Sequence, residues 1–116
     1  WGAFATLLLS LAVAAYGRFE FHPIVAGIRP KLKDPAKPFT MFVLLKVKAG
    51  QERAFEAAFA AAATGTKREK GYVAYELNRL ADEPGKYVAY EKWKSLDALA
   101  EHVAAPHTQK LLEALP

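Results

Sequence analysis

The chain has no cysteine in its 116 residues. That absence excludes disulfide stapling, a thiol nucleophile, a thiolate zinc site and iron–sulfur ligation. Charge is absent from the first 16 residues, WGAFATLLLSLAVAAY. A basic face is missing as well. The formal charge is +4, yet residues 17–38 carry 5 bases against 2 acids, and residues 39–116 carry 11 against 10. Nucleic-acid-binding domains spread Lys and Arg over one face with aromatics between them, so no nucleic acid is expected as a partner. What remains is 53% apolar and 24% charged, enough for a buried core, and the length allows one domain.

The apolar head admits three readings. Ala12-Val13-Ala14 resembles a signal-cleavage site, a soluble core accepts such a helix, and so does a bilayer. At 1.5 Å per residue the uncharged run spans about 24 Å against a hydrocarbon core of about 30 Å. Trp1 and Tyr16 lie where interfacial aromatics belong, and the chain starts on Trp rather than Met. These features favour a retained transmembrane helix over residues 1–17, with membrane lipid as its partner. The following bases, Arg18 to Lys37, place the C-terminal part on the cytoplasmic, stromal or matrix side. Residues 18–38 hold prolines at 23, 30, 35 and 38 and read as a Pro-rich basic tether. Its Phe19, Phe21, Ile24, Val25 and Ile28 are more apolar than a plain spacer needs.

Secondary-structure periodicity begins at Phe39. Residues 39–47, FTMFVLLKV, read as a strand buried on both faces. Residues 51–64 read as a helix with Phe55, Phe59 and Ala62 on its apolar stripe and Gly65 as its stop. Residues 72–80 and 86–93 read as a hairpin about Asp82-Glu83-Pro84-Gly85. Ser95 caps a helix carrying Leu96, Leu99 and Val103, and Pro106 opens a last short helix with Leu111, Leu112 and Leu115. The order is that of an α+β, ferredoxin-like βαββα(β) domain over residues 39–116, with an antiparallel sheet and helices on one face.

Residues 42–52 (FVLLKVKAGQE), 71–77 (GYVAYEL), 90–93 (YEKW) and 101–107 (EHVAAPH) resemble the antibiotic biosynthesis monooxygenase domain in its short, quinol-monooxygenase-like form. The resemblance runs over residues 39–115. It implies a dimeric α+β barrel and, in some members, cofactor-independent oxidation of quinol-like or polycyclic aromatic substrates, so no cofactor is expected. Haem-degrading members use an Asn on the first strand, which residues 39–47 lack. The family's final strand is not found before Pro116. A homodimer partner or another subunit is therefore expected on the open sheet edge.

A hairpin symmetric about Glu83-Pro84 sets Glu76 opposite Glu91, Asn78 opposite Ala89 and Leu80 opposite Tyr87. The polar side chains then form a site of Asn78, Glu76, Glu91 and Trp93, unless the two carboxylates are a solvated pair met by Lys92, Lys94 or Arg79. His102 is the candidate general base toward a phenolic hydroxyl, with Asn78 and Trp93 beside it. Tyr75, Tyr90, Glu76, Glu91 and His107 are the candidate substrate contacts. Tyr72 and Tyr87 add to an aromatic cluster that equally suits a small core. His102 and His107 are five apart with Pro106 between them, off the i, i+4 spacing of a helical metal pair, so no metal is expected. Head, tether, basic cluster and open edge together favour a membrane-tethered accessory subunit of a larger membrane complex, respiratory or photosynthetic. The alternative is a cofactor-independent monooxygenase acting on a quinol or other aromatic. The residues leave open whether the protein is an enzyme.

Overall fold

Alternation, rather than two-sided burial, governs the first strand. In the computed structural model, which describes residues 22–115, β1 is Phe39–Lys46, and it turns Met41, Val43 and Leu45 inward while Thr40, Phe42 and Lys46 stay exposed. This corrects the expectation of a strand buried on both faces. The helices cover only one side of the antiparallel sheet, so one strand face in two is left outside.

Strand β2 is Tyr72–Arg79 and β3 is Lys86–Trp93, and the sheet order is β1–β3–β2 with both pairings antiparallel. The hairpin register is one residue away from the symmetric one. Tyr75 pairs with Glu91, Glu76 with Tyr90, and Asn78 with Val88. The cause is an odd loop: Leu80 N–H donates to the Lys86 carbonyl, leaving residues 81–85 outside the ladder. Gly85 takes φ +80° there, and a Cβ on it would meet the Val47 carbonyl oxygen at 2.7 Å. Because side chains alternate, the one-residue shift moves Glu76 and Asn78 to the opposite face from Glu91.

From residue 22 on, the segment expected to be a tether is folded. Helix α1 is Pro23–Ile28, followed by a 3-10 turn over Arg29–Lys31. Two of the prolines that read as breakers stand at the starts of these turns, where no N–H is needed. Ile24, Val25 and Ile28 share a helical face and are buried in the core, and His22 caps the helix by accepting the Ile24 N–H at 3.1 Å. The Pro35 carbonyl accepts the Leu96 N–H at 2.8 Å, tying the rest of the segment to the domain.

Helix α2 is Glu52–Thr66, α3 is Leu96–Ala104 and α4 is Pro106–Ala114. The expected inward residues of α2 (Phe55, Phe59, Ala62) and of α3 (Leu96, Leu99, Val103) are buried, and Ser95 Oγ accepts the Ala98 N–H. Gly65 does not stop α2, which runs one residue further. Its bare Cα instead admits the His107 ring, since a Cβ would lie 2.5 Å from His107 Nδ1. The expected membrane helix over residues 1–17 lies outside the described residues. Among those described, no helix is long and apolar enough to cross a membrane. Phe42, on the outer face of β1, and Val73, at the irregularity where β2 leaves its regular register with β3, are exposed at 48% and 43%.

Candidate active site

Two turns of the chain build one polar cluster. Ala105, extended at φ −65° and ψ 142°, ends α3 and begins α4. On one unbroken helix, residues five apart point about 140° from each other. The break at Ala105 instead brings the His102 and His107 rings to 6.2 Å between centroids. The second is the turn from α2 into β2, stitched by Arg68 N–H to the Gly65 carbonyl and Glu69 N–H to the Thr66 carbonyl. It carries Glu69 to the two rings. Glu69 Oε2 lies 3.0 Å from His102 Nδ1 and also meets His107 Nε2. Thr108 Oγ1 stands 3.3 Å from the same His102 nitrogen. Burial pushes the Glu69 carboxyl up, but the hydrogen bonds and charges of both histidines outweigh it and hold it below the ordinary range. A carboxylate accepts only, so both nitrogens that face it carry the hydrogen. His102 Nε2 is then left as the basic nitrogen.

Behind the cluster lies an aromatic wall. The His102 and Trp93 ring centroids are 4.3 Å apart, and Tyr75 meets His102 edge-on at 5.2 Å. Tyr75 stacks on Phe59 at 4.6 Å and 8°. Trp93 Nε1–H donates to Glu91 Oε1 at 3.2 Å. Burial pushes Glu91 above the usual carboxyl range, against the pull of the His102 charge and the Trp93 hydrogen bond. Burial and then the nearby Glu91 and Glu69 carboxylates likewise push the Tyr75 phenol up. Tyr75, Glu91, His102 and Thr108 are the polar members of a mostly aliphatic lining around a cavity of about 60 Å³, between the sheet's inner face and the helices.

The structure thus gathers His102, Trp93, Tyr75, Glu91 and His107 among the residues singled out in the sequence. It does not bring Asn78, Glu76 or Tyr90 to them. Asn78 is exposed and donates to the Val88 carbonyl, Glu76 is exposed, and Tyr90 packs on Phe42 at 5.6 Å on the outer face. The shifted register accounts for Asn78 and Glu76, and Tyr90, next to Glu91 on β3, faces the other side in any register. Glu69 was missed. It stands in the charged run TKREK, which reads as a solvated turn, and no spacing ties it to residues more than thirty positions away. The spacing argument against a metal also fails on the geometry, because Glu69, His102 and His107 present ligand atoms within 4.8 Å of one another.

The buried Glu91 gives a pH prediction. A group whose proton is held more tightly in the fold stabilises it fully below the unfolded pKa and loses that contribution as pH rises toward the folded one. Glu91→Gln keeps an acceptor for Trp93 and has nothing to ionise. Relative to this variant, the wild type is expected to lose about 1.4 kcal/mol per pH unit, starting near the ordinary value of 4.5. Glu69, held low, acts in the opposite sense in both proteins and cancels. Urea midpoints of the two proteins from about pH 4 to about pH 8 check this, and a difference that does not grow with pH contradicts it.

The fold and site define an α+β domain with a histidine–carboxylate cluster beside a mostly aliphatic cavity. The family model described as antibiotic biosynthesis monooxygenase matches residues 38–114, and the chain belongs to that family. A protein from Shewanella oneidensis of known structure is 30% identical with a TM-score of 0.63, over 68% of this chain and 77% of that one. A Mycobacterium tuberculosis protein is 28% identical with a TM-score of 0.64, over 68% and 80%. A Caulobacter crescentus protein, provisionally titled an antibiotic biosynthesis monooxygenase, is 28% identical with a TM-score of 0.64, over 67% and 74%. No functionally curated protein matches the chain.

Proposed function

We propose that the protein is a cofactor-independent monooxygenase acting on a small quinol or related phenol. The observation that carries this reading is the His102 ring, placed between the Trp93 face and the Glu69 carboxylate on the wall of a mostly aliphatic cavity. Family membership supports the reaction class. A quinol hydroxyl meeting His102 Nε2 gives up its proton, and Glu69 balances the charge that develops on the imidazole. The apolar lining excludes water, so the resulting anion stays electron-rich and reacts with dioxygen. One oxygen atom replaces a ring hydrogen as a hydroxyl, the quinol becomes a quinone, and the other oxygen leaves as water. The four electrons come from the ring carbon and the quinol, so no external reductant is required.

The cavity must widen for a ring to enter. A dry cavity of about 150 Å³ takes benzene, against about 60 Å³ here. Ile24 on α1 and Leu115 beyond α4 line it, and moving either element breaks no sheet hydrogen bond. The accessory-subunit expectation draws no support from the described residues, and its carrier segment lies outside them. Oxygen uptake by the purified chain with a soluble hydroquinone and no added cofactor tests the proposal. Consumption is expected above that of heat-denatured protein, with a hydroxyquinone as product. Equal rates in the two samples overturn it.

A further inference from the structure

We infer that Glu69, His102 and His107 form a site for one divalent transition-metal ion of the zinc class, and that the ion shuts off His102 as a base. The binding half stands on geometry alone; the inhibitory half rests on the proposed monooxygenase reading. Three side chains from three different elements, two imidazoles and one carboxylate, offer ligand atoms within 4.8 Å of one another. Two nitrogens and an oxygen suit zinc, cobalt or nickel better than magnesium or calcium, which take oxygen ligands.

At bond lengths of about 2.0–2.2 Å a tetrahedral ion holds its ligands about 3.4 Å apart. The Glu69–His102 separation of 3.0 Å therefore opens by a few tenths of an ångström and the shorter Glu69–His107 contact by more, while the three ligand atoms, within 4.8 Å of one another, draw in around the ion. Glu69 can supply that movement, because it sits in a surface turn with its side chain 15% exposed, while His107 at 26% leaves a path from solvent. The two rings are held more firmly. His102 lies against Trp93 at 4.3 Å, and His107 fills the space over Gly65 that a Cβ would occupy. Three protein ligands leave a fourth position, with Thr108 Oγ1 3.3 Å from the His102 ligand atom; a three-ligand, one-open arrangement is the common form of a reactive rather than a structural zinc site.

The same atoms now share protons. His102 Nδ1 and His107 Nε2 each give a hydrogen to Glu69, and an ion taking that place displaces both. The imidazole of a neutral, metal-bound His102 then carries its only hydrogen on Nε2, so it can donate there but cannot accept a proton from a quinol. Zinc occupancy and proton abstraction by His102 exclude each other.

Calorimetric titration of the chelator-treated full chain with zinc sulfate tests the site. One zinc per chain is expected with a micromolar Kd, weakened at least tenfold in His107→Ala and in Glu69→Gln. Far-UV circular dichroism confirms that the variants are folded. No saturable binding by the wild type, or equal affinity in wild type and both variants, overturns the site. With a hydroquinone as substrate, stoichiometric zinc is expected to abolish oxygen uptake, with recovery on adding chelator. Zinc bound with uptake unaffected overturns the inhibitory half alone. Zinc bound by a chain that never consumes oxygen leaves the site standing and overturns the monooxygenase reading.

Discussion

Replacing His102 by alanine is expected to slow quinol-dependent oxygen uptake by about 10²–10⁴-fold, the usual contribution of a positioned proton acceptor. His102 is the residue that joins the Glu69 cluster to the cavity, at 4% exposure, with Trp93 on one side and Tyr75 at its edge. His107 cannot replace it, because its ring is turned to Gly65 and Glu69 and does not line the cavity. Glu69→Gln separates base from positioner. The amide retains the shape but not the charge that stabilises a protonated imidazole, so kcat is expected to fall with little change in KM. A His102→Ala protein that is folded by circular dichroism and as fast as wild type removes His102 from the reaction. Equal losses of affinity in both variants without loss of kcat reduce the cluster to a binding role.

The largest stability loss is expected at Trp93. Trp93→Ala should cost about 3–5 kcal/mol, as truncations of large buried aromatics do. The side chain is completely buried, lies 4.3 Å from the His102 ring and 6.3 Å from Tyr75, and its N–H is the hydrogen bond to Glu91. Truncation leaves a cavity and also strips a fully enclosed carboxyl of its donor, which adds about 1–3 kcal/mol to the loss where nothing relaxes. Domains of this size are stable by about 5–15 kcal/mol in total, so the variant is expected to stand near its folding threshold at room temperature. Trp93→Phe keeps most of the ring and removes only the donor, and is expected to lose about 1–2 kcal/mol. Urea unfolding of both variants checks the pair. A loss below about 1 kcal/mol for Trp93→Ala contradicts the packing argument.

Most of the elements were legible from local signals. The apolar spacing of Phe55, Phe59 and Ala62, the Ser95 cap and the proline at 106 each act through neighbours a few residues away, and each appears in the fold as read. The same local reasoning misjudged residues 22–38. Prolines there suggested extension, but Pro23 and Pro30 stand at the starts of helical turns, and the apolar face of the first, Ile24, Val25 and Ile28, is buried where α1 packs on α3.

The candidate site divides along the same line. Composition and residue type were enough to single out His102, Trp93, Tyr75 and Glu91, since a histidine and a carboxyl among aromatics are chemically conspicuous wherever they fall. Their company was decided by tertiary structure. A five-residue loop in place of an even one sent Asn78 and Glu76 to the outer face, because a strand's side chains alternate and one residue of register reverses them. Glu69 joined His102 and His107 through two turns that close distances of 33 and 38 residues. No periodicity encodes such a meeting; it follows from where α2, α3 and α4 settle on the sheet. The amino-acid sequence by itself determined which elements form and which chemistries are present. Packing decided which of those side chains share a face, because that depends on register and chain reversal rather than on neighbours in the chain.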